Sequence, residues 1–522
     1  MGIKCPNCGG GMVYDIEDKQ LHCPYCDTRM GLGEYGYSNA AQTVQDAYLV
    51  NLFLCPNCGA ELTAPQEQTV AYCAYCGGEA TLTQKMAPAQ RPTAIIPFTK
   101  TKAEAAEAYE QAVKRKLYVP KELKDPAFLE GFRGVYLPYW NIDVTIPEKD
   151  LSIKGTKTYT RGGYDYTETY DVKAHIGGAV EGAVYDASAA FDDTLAAQIA
   201  PFDQKEARPF AEGYLAGFYA DKVTTDPGVY EELALSQATE KVYEGIRKEA
   251  GGITLSLPAG KQERLQQVGA TAQGQRVSLF PVWFLTYRKG DRVAYSVMNG
   301  QTGKLSTEVP VDLKQFFLTS LIGAGVLFLL LSLLPVFMGA RLLAAISALL
   351  LLVSGQLLNG ELKRIRLQEQ HTFDWGHQSQ AGKKRKLPGS SCLGTTLAVL
   401  YYGLMAAVAF FTTGGSQGGV GPVFLFGAVG QLVISILIIR NAAGMANKSA
   451  ILPGVLGLII MVAGLLVSAG ELAHDGWYYG LCLGCLGGML LNILSAVRHC
   501  NELTTRPVPN FFRREGADNG RN

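Results

Sequence analysis

The chain reads as a multidomain protein: two rubredoxin-like zinc ribbons, then an α+β soluble domain, then an α-helical membrane domain of about six spans. Three observations predict this. CPNCGGGMVYDIEDKQLHCPYC, starting at Cys5, is nearly repeated as CPNCGAELTAPQEQTVAYCAYC from Cys55. Charges are scattered through strand-like and helix-like stretches up to residue 315. From Phe316 onward the chain has long runs without any charge. The expected units are 1–30 (first ribbon), 51–80 (second ribbon), 92–312 (soluble domain), 316–497 (membrane domain) and 498–522 (tail).

The ribbons come first. Cys5, Cys8, Cys23 and Cys26 form one quartet; Cys55, Cys58, Cys73 and Cys76 form the other, each offset by 50 residues. Each copy is CxxC, fourteen residues, CxxC, an internal duplication. A tetrahedral zinc takes four soft ligands at about 2.3 Å, and CxxC aims two thiolates of one turn at the same ion. Gly9, Gly59 and Gly77 follow the second Cys of three knuckles, where a left-handed turn suits a residue without Cβ. Asp27 takes that place in the fourth and tolerates it better than most residues. Val13–Tyr14 with Leu21–His22, and Leu62–Thr63 with Val70–Tyr72, read as short hairpins. Two structural Zn2+ are implied. Disulfides or redox pairs are the alternative, but a redox CxxC needs no second pair at matched spacing. His22, beside Cys23, is expected to be a strand residue, since four cysteines fill the shell.

The soluble middle follows. GGEATLTQKMAPAQRPTAII (77–96) reads as a linker. TKAEAAEAYEQAVKRK is a helix opened by a Thr101/Glu104 capping box. Further helices are expected at about 203–220 and at 227–249, the latter started by Asp226–Pro227. TKTYTRGGYDYTETYDVKAHI reads as a hairpin turning at Gly162–Gly163. GVYLPYWNIDV and SLFPVWFLTY each run into a strand. The second continues through turns at Lys289–Gly290–Asp291 and Asn299–Gly300. Trp140 and Trp283 are expected in the core.

The membrane half offers six runs, at about 316–338, 342–359, 392–413, 420–439, 450–470 and 477–497, each near the length that crosses ~30 Å of hydrocarbon. With the N-terminus inside, the inner loops and tail carry 14 Lys/Arg and the outer turns only Arg341. This predicts a multi-pass protein of the cytoplasmic (plasma) membrane with both termini cytoplasmic. Residues 1–30 carry no apolar signal core, so the ribbons should lie in the reducing cytosol. KKRK (383–386) in an inner loop suits anionic lipid as well as topology. HTFDWGH (371–377) is read as polar loop. Gly476, Gly480, Gly484 and Gly488 recur every four residues and form a groove for another helix, in the same chain or a second copy.

The order of motifs is distinctive: paired CPNCG ribbons, IIPFTKTKAEAAEAYEQ, GVYLPYW, PVWFLTY with NGQTGK, then hydrophobic spans. Over roughly residues 1–312 it resembles a bacterial group of zinc-ribbon membrane proteins, mostly uncharacterised. Members are similar to one encoded beside phage-shock-protein-A-like, flotillin-like and TPM-domain partners. The resemblance implies a membrane anchor for a stress-associated assembly, with the ribbon cysteines as metal ligands.

Composition bounds the function classes. The chain has 47 Lys+Arg and 47 Asp+Glu, so its net charge is zero. Residues 1–90 hold four Lys/Arg against nine Asp/Glu. Two Zn(Cys)4 centres bring that region to about −9, which repels nucleic acid. There is no nucleophile elbow, phosphate-cradling loop or HExxH helix, so no enzyme is expected. The expected function is a membrane-anchored adaptor or scaffold that recruits cytosolic proteins in an envelope-stress assembly. The alternative is a multi-span transporter or channel with a regulatory ribbon domain. The lack of ionisable groups inside the runs weighs against ion coupling.

Overall fold

The computed structural model describes residues 3–33, 47–63, 70–81, 83–188, 190–333, 339–370, 420–445, 447–469 and 474–511. Within the first ribbon, β1 (Val13–Asp15), β2 (Gln20–His22) and β3 (Arg29–Met30) make a small antiparallel sheet. The second ribbon contributes β4 (Ala47–Leu54), β5 (Glu61–Thr63), β6 (Val70–Tyr72), β7 (Glu79–Thr81) and β8 (Thr83–Gln90).

The segment expected to be a linker is structured. β7 pairs β6, β8 pairs β4 over its whole length, and β9 (Ala94–Ile95) enters the main sheet. The physical reason is pairing. Ala94 and Ile95 run parallel to Ser278 and Leu279, and Ile95 and Ile96 are fully buried. A free linker would leave both in water.

The main sheet is built on β10 (Arg133–Arg161) and β11 (Tyr164–Asp186), a long hairpin. Its turn is the expected Gly162–Gly163, with φ of 62° and 82°, which favour glycine. β12 (Arg208–Pro209) pairs β9, β13 (Tyr219–Asp221) runs parallel to β10, and β14 (Thr254–Leu255) pairs β10 further along. β15 (Thr271–Lys289) lies antiparallel to β10. β16 (Arg292–Asn299) and β17 (Leu305–Thr307) follow through the two expected turns. β18 (Arg506–Pro507) returns from the far end of the chain to pair β16. The second ribbon joins this sheet, because β5 pairs β13.

Residues 203–220 are not a helix. They form two 3-10 turns, Gln204–Glu206 and Glu212–Leu215, flanking β12, and end in β13. Pro209 removes a helical donor, and Gly217 has φ of 90°. The segment wraps the first ribbon instead: a Cβ at Gly213 would strike Leu32, and one at Gly217 would strike Val13. The other two helices stand where expected. α1 (Lys102–Lys114) carries the Thr101/Glu104 capping box. α2 (Gly228–Glu249) begins with Asp226 accepting from Gly228 N–H at 2.7 Å. With α3 (Lys261–Val268), it covers Ile146, Leu151 and Ile153 of β10.

The central strands bury both faces, so their sequences show unbroken apolar runs rather than alternation. Val135, Leu137, Tyr139, Phe280, Val282 and Phe284 face one way, into a core shared with the second ribbon's cysteines. Tyr136, Leu279, Trp283 and Leu285 face the other way, toward α1 and the first ribbon. Burying one such Phe stabilises the fold by roughly 1.5–3 kcal/mol. Trp140 and Trp283 are core residues as expected. Their indole N–H groups donate to Thr225 O (3.1 Å) and Lys100 O (2.8 Å).

Beyond the sheet lie α4 (Leu313–Ser332), α5 (Ala340–Gln370), α6 (Val420–Ala443), α7 (Ile451–Ala469) and α8 (Asp475–Thr504). Among the described residues, three helices are long and apolar enough to cross a membrane: Ala340–Arg366, Ile451–Ser468 and Asp475–Thr504. That is fewer than the six expected. Leu313–Val326 and Gly427–Ala443 are shorter apolar helices, and the run at 392–413 lies outside the described residues, as do HTFDWGH and KKRK. The second expected span continues past 359, because α5 carries Lys363, Arg364 and Arg366 on unbroken helix.

α5 packs on α6, α7 and α8 through Ala344, Ala345, Ala348 and Leu351. Buried amides and hydroxyls pair between helices, Asn441 with Asn359 at 2.7 Å and Asn492 with Ser354 at 3.1 Å. Such pairs satisfy polar groups where no water does. The inner end of the glycine stripe packs within the chain. A Cβ at Gly488 would meet Leu351 and Ile460, and one at Gly484 would meet Ile460, whereas one at Gly480 meets nothing.

Candidate metal centres

All eight expected ligands come together in the two expected quartets, with the four sulfurs of each within 4.8 Å of one another. Cys5–Cys26 and Cys8–Cys23 are 3.5 Å apart, and Cys55–Cys76 and Cys58–Cys73 are 3.7 Å apart. A tetrahedron with metal–sulfur bonds of about 2.3 Å has edges of about 3.8 Å, so both quartets fit one ion of that kind.

Local backbone makes the fit. In each knuckle the first Cys N–H donates to the carbonyl five residues on, and its own carbonyl accepts from the residue four on. That fourth residue is Gly9, Asp27, Gly59 or Gly77, with φ of 75°, 59°, 76° and 63°. His22 is not among the ligands; its Nε2 lies 2.7 Å from Asp27 Oδ1.

A buried quartet of bare thiols cannot ionise together. Hydrogen bonds to Cys58, Cys73 and Cys76 hold the Cys55 thiol far below its ordinary value. Those to Cys55, Cys58 and Cys76, with burial, push Cys73 far above its own. A divalent cation removes that conflict by compensating every thiolate at once.

The two centres differ in their surroundings. Cys8 and Cys26 are exposed, whereas all four cysteines of the second ribbon are buried. A chelator should therefore take one metal equivalent from the intact protein quickly and the second only on unfolding. Two equal fast phases in a chromogenic chelator assay would contradict this.

The second centre is held by residues that no motif marks. Tyr75, between Cys73 and Cys76, donates to Asp221 Oδ2 at 2.6 Å, and Ser188 donates to the same oxygen. Tyr295 donates to Tyr75 O and Thr286 to Ala74 O. Phe511 N–H donates to Cys58 O at 2.7 Å, and its ring meets Tyr75 edge-on at 5.7 Å. Phe511 arrives there because Thr505–Phe511 runs back from α8 along β16.

This strap is pinned by Arg506, whose guanidinium lies 2.8 Å from Asp192 and 2.9 Å from Glu308, and 5.8 Å from the Tyr295 ring centroid. Burial pushes the Glu308 carboxyl up to about 7 from 4.5, with Arg506 opposing. Folded Glu308 thus holds its proton more tightly than the unfolded chain does. Its contribution is fully present below pH 4.5 and is lost as pH rises through 7. Glu308→Gln should remove on the order of 3 kcal/mol of pH dependence across that window. Denaturant titrations in which Glu308→Gln still differs between the two ends of the window by as much as wild type would contradict it.

No protein-family model and no solved structure matches the chain. It is 33% identical over 319 residues to the "Uncharacterized protein YdjG" of Bacillus subtilis (strain 168), across 60% of this chain and 91% of that protein. With nearly the whole relative covered at that identity, the chain belongs to the family of the Bacillus subtilis YdjG protein.

Proposed function

We propose that the chain is a membrane-anchored zinc-ribbon adaptor: a cytosolic sheet domain, sealed by two zinc sites, that recruits cytosolic proteins to the plasma membrane. One observation carries the reading. Both cysteine quartets and the strap from the last membrane helix converge on the same sheet. A domain mounted this way is a fixed platform rather than a pair of modules swinging on a linker.

Zinc suits the sites because four thiolates at tetrahedral spacing favour it, with no open position for catalysis. In this reading the six apolar runs are six spans with both termini cytoplasmic. Reporter fusions after Gly360, Ser416 and Asn522 should then read inside, outside and inside; an outside C-terminus contradicts the topology. The partner implied by the resemblance is a phage-shock-protein-A-like or flotillin-like oligomer, in an envelope-stress setting. The acidic stretch that carries both ribbons, residues 1–90, favours a basic patch on it, with binding that weakens in salt.

Purified protein of either kind should sediment with vesicles that carry the full chain, and less so at high salt. If neither sediments while the same vesicles pass small solutes, the transporter reading takes its place.

A further inference from the structure

The β10–β11 hairpin outgrows the domain. β15 stops pairing β10 at Thr145, and β14 with Ser256 covers it from Lys154 to Thr156. Ile146, Leu151 and Ile153 lie under α2 and α3, and from Thr156 to Arg161 the hairpin runs on for roughly 17 Å of strand. The arm also points away from the membrane helices. Their connections gather at the other end of the sheet, where β18 pairs Arg292–Val293 and Asn501 bonds Val311. Past Thr156, neither strand of the arm pairs any third strand among the described residues.

Such edges are templates for further pairing, and a lone two-stranded ribbon is marginal in water. The two faces of the arm differ. Thr156, Thr158 and Thr160 stand opposite Thr169, Thr167 and Asp165 on one. Tyr159 and Tyr166 stack at 5.7 Å on the other, beside Tyr164, which is 74% exposed. The two edges differ in charge. Beyond that cover the β10 side carries Lys157 and Arg161 with no acid between them. From Tyr164 to Val172 the β11 side carries Asp165, Glu168 and Asp171 with no base.

We propose that the arm pairs edge to edge with the arm of a second copy, the basic β10 strand of one against the acidic β11 strand of the other. Two like edges would set charge against like charge, which is unfavourable across a ladder. The contact is therefore head-to-tail and builds a ring or an open row of copies, not an isologous dimer. A second copy fits better than a foreign peptide, because every copy carries both complementary edges. The inference goes beyond the adaptor reading and does not depend on which partner is recruited.

The test uses differently tagged full-length chains co-expressed and solubilised in mild detergent. In one version the edge charges are exchanged: Lys157→Glu, Arg161→Glu, Asp165→Lys and Glu168→Lys. The exchange keeps the Lys157–Glu168 pairing within the arm, and two bound metals report that the domain is folded. Wild type should co-purify with wild type, and exchanged with exchanged. The mixed pair should fall by about fivefold or more. Monomers at every concentration, mixed pairs as abundant as matched ones, or assembly that survives replacing residues 157–168 by a two-residue turn would each overturn the proposal.

Discussion

Cys58→Ser is expected to unfold the sheet domain rather than merely to empty one metal site. Cys58 is fully buried and shares a core with Phe280, Val282 and Phe284 of the central strand. Its carbonyl also holds Phe511 of the strap. Structural zinc in small ribbons contributes an apparent 10–16 kcal/mol, roughly the whole of a domain's stability. With the metal lost, three buried thiols and a hydroxyl would line one face of the sheet. Trp140 and Trp283, both buried, report the outcome through their fluorescence. The same change at Cys8, an exposed ligand of the first ribbon, should free that ribbon's outer knuckle and leave the indoles buried. If Cys58→Ser keeps a cooperative unfolding transition with native fluorescence, the second ribbon is an appendage and not part of the core.

Arg506→Leu should be strongly damaging, and more so above pH 7 than below it, because only an ionised Glu308 is then left as a buried carboxylate without its partner. Glu308 would lose the cation that opposes its upward shift, and Asp192 would lose a partner 2.8 Å away. The strap should then detach, exposing the Cys58 carbonyl and the Tyr75 ring. Limited proteolysis after Thr505 would detect this, and Arg506→Lys should restore part of the protection. Equal cleavage of wild type and Arg506→Leu would mean that the strap is held by β18 pairing alone.

The ribbons were legible because metal chemistry constrains sequence directly: ligand count, spacing and the left-handed fourth position all follow from one ion. Helices with caps were legible for a similar local reason, as at Thr101 and Asp226. What the two ribbons are for was not legible. Residues 77–96 have linker-like composition, but Ile95 and Ile96 are buried only because Leu279 lies beside them, 184 positions away from Ile95 in the chain. The 203–220 stretch has helical propensity in parts, yet tertiary contacts with Val13 and Leu32 decide its path. The strap residues Arg506 and Phe511 carry no motif at all; their role exists only when the end of the chain meets β16 and Cys58. Membrane runs are readable by hydropathy, but hydropathy does not set where a helix ends, and α5 runs on through its basic residues.

Hydrogen exchange on the full chain, before and after complete metal removal, tests most directly whether the two ribbons seal the two faces of one sheet. With both metals bound, the backbone N–H groups of Val135, Tyr136, Leu137, Tyr139, Leu279, Phe280, Val282, Trp283 and Phe284 should be the slowest in the sheet domain. Stripping the metals should bring them to near-unfolded rates together with the knuckles. Central strands that stay protected while the ribbons exchange freely would contradict the sealing role and leave the metal sites as independent modules.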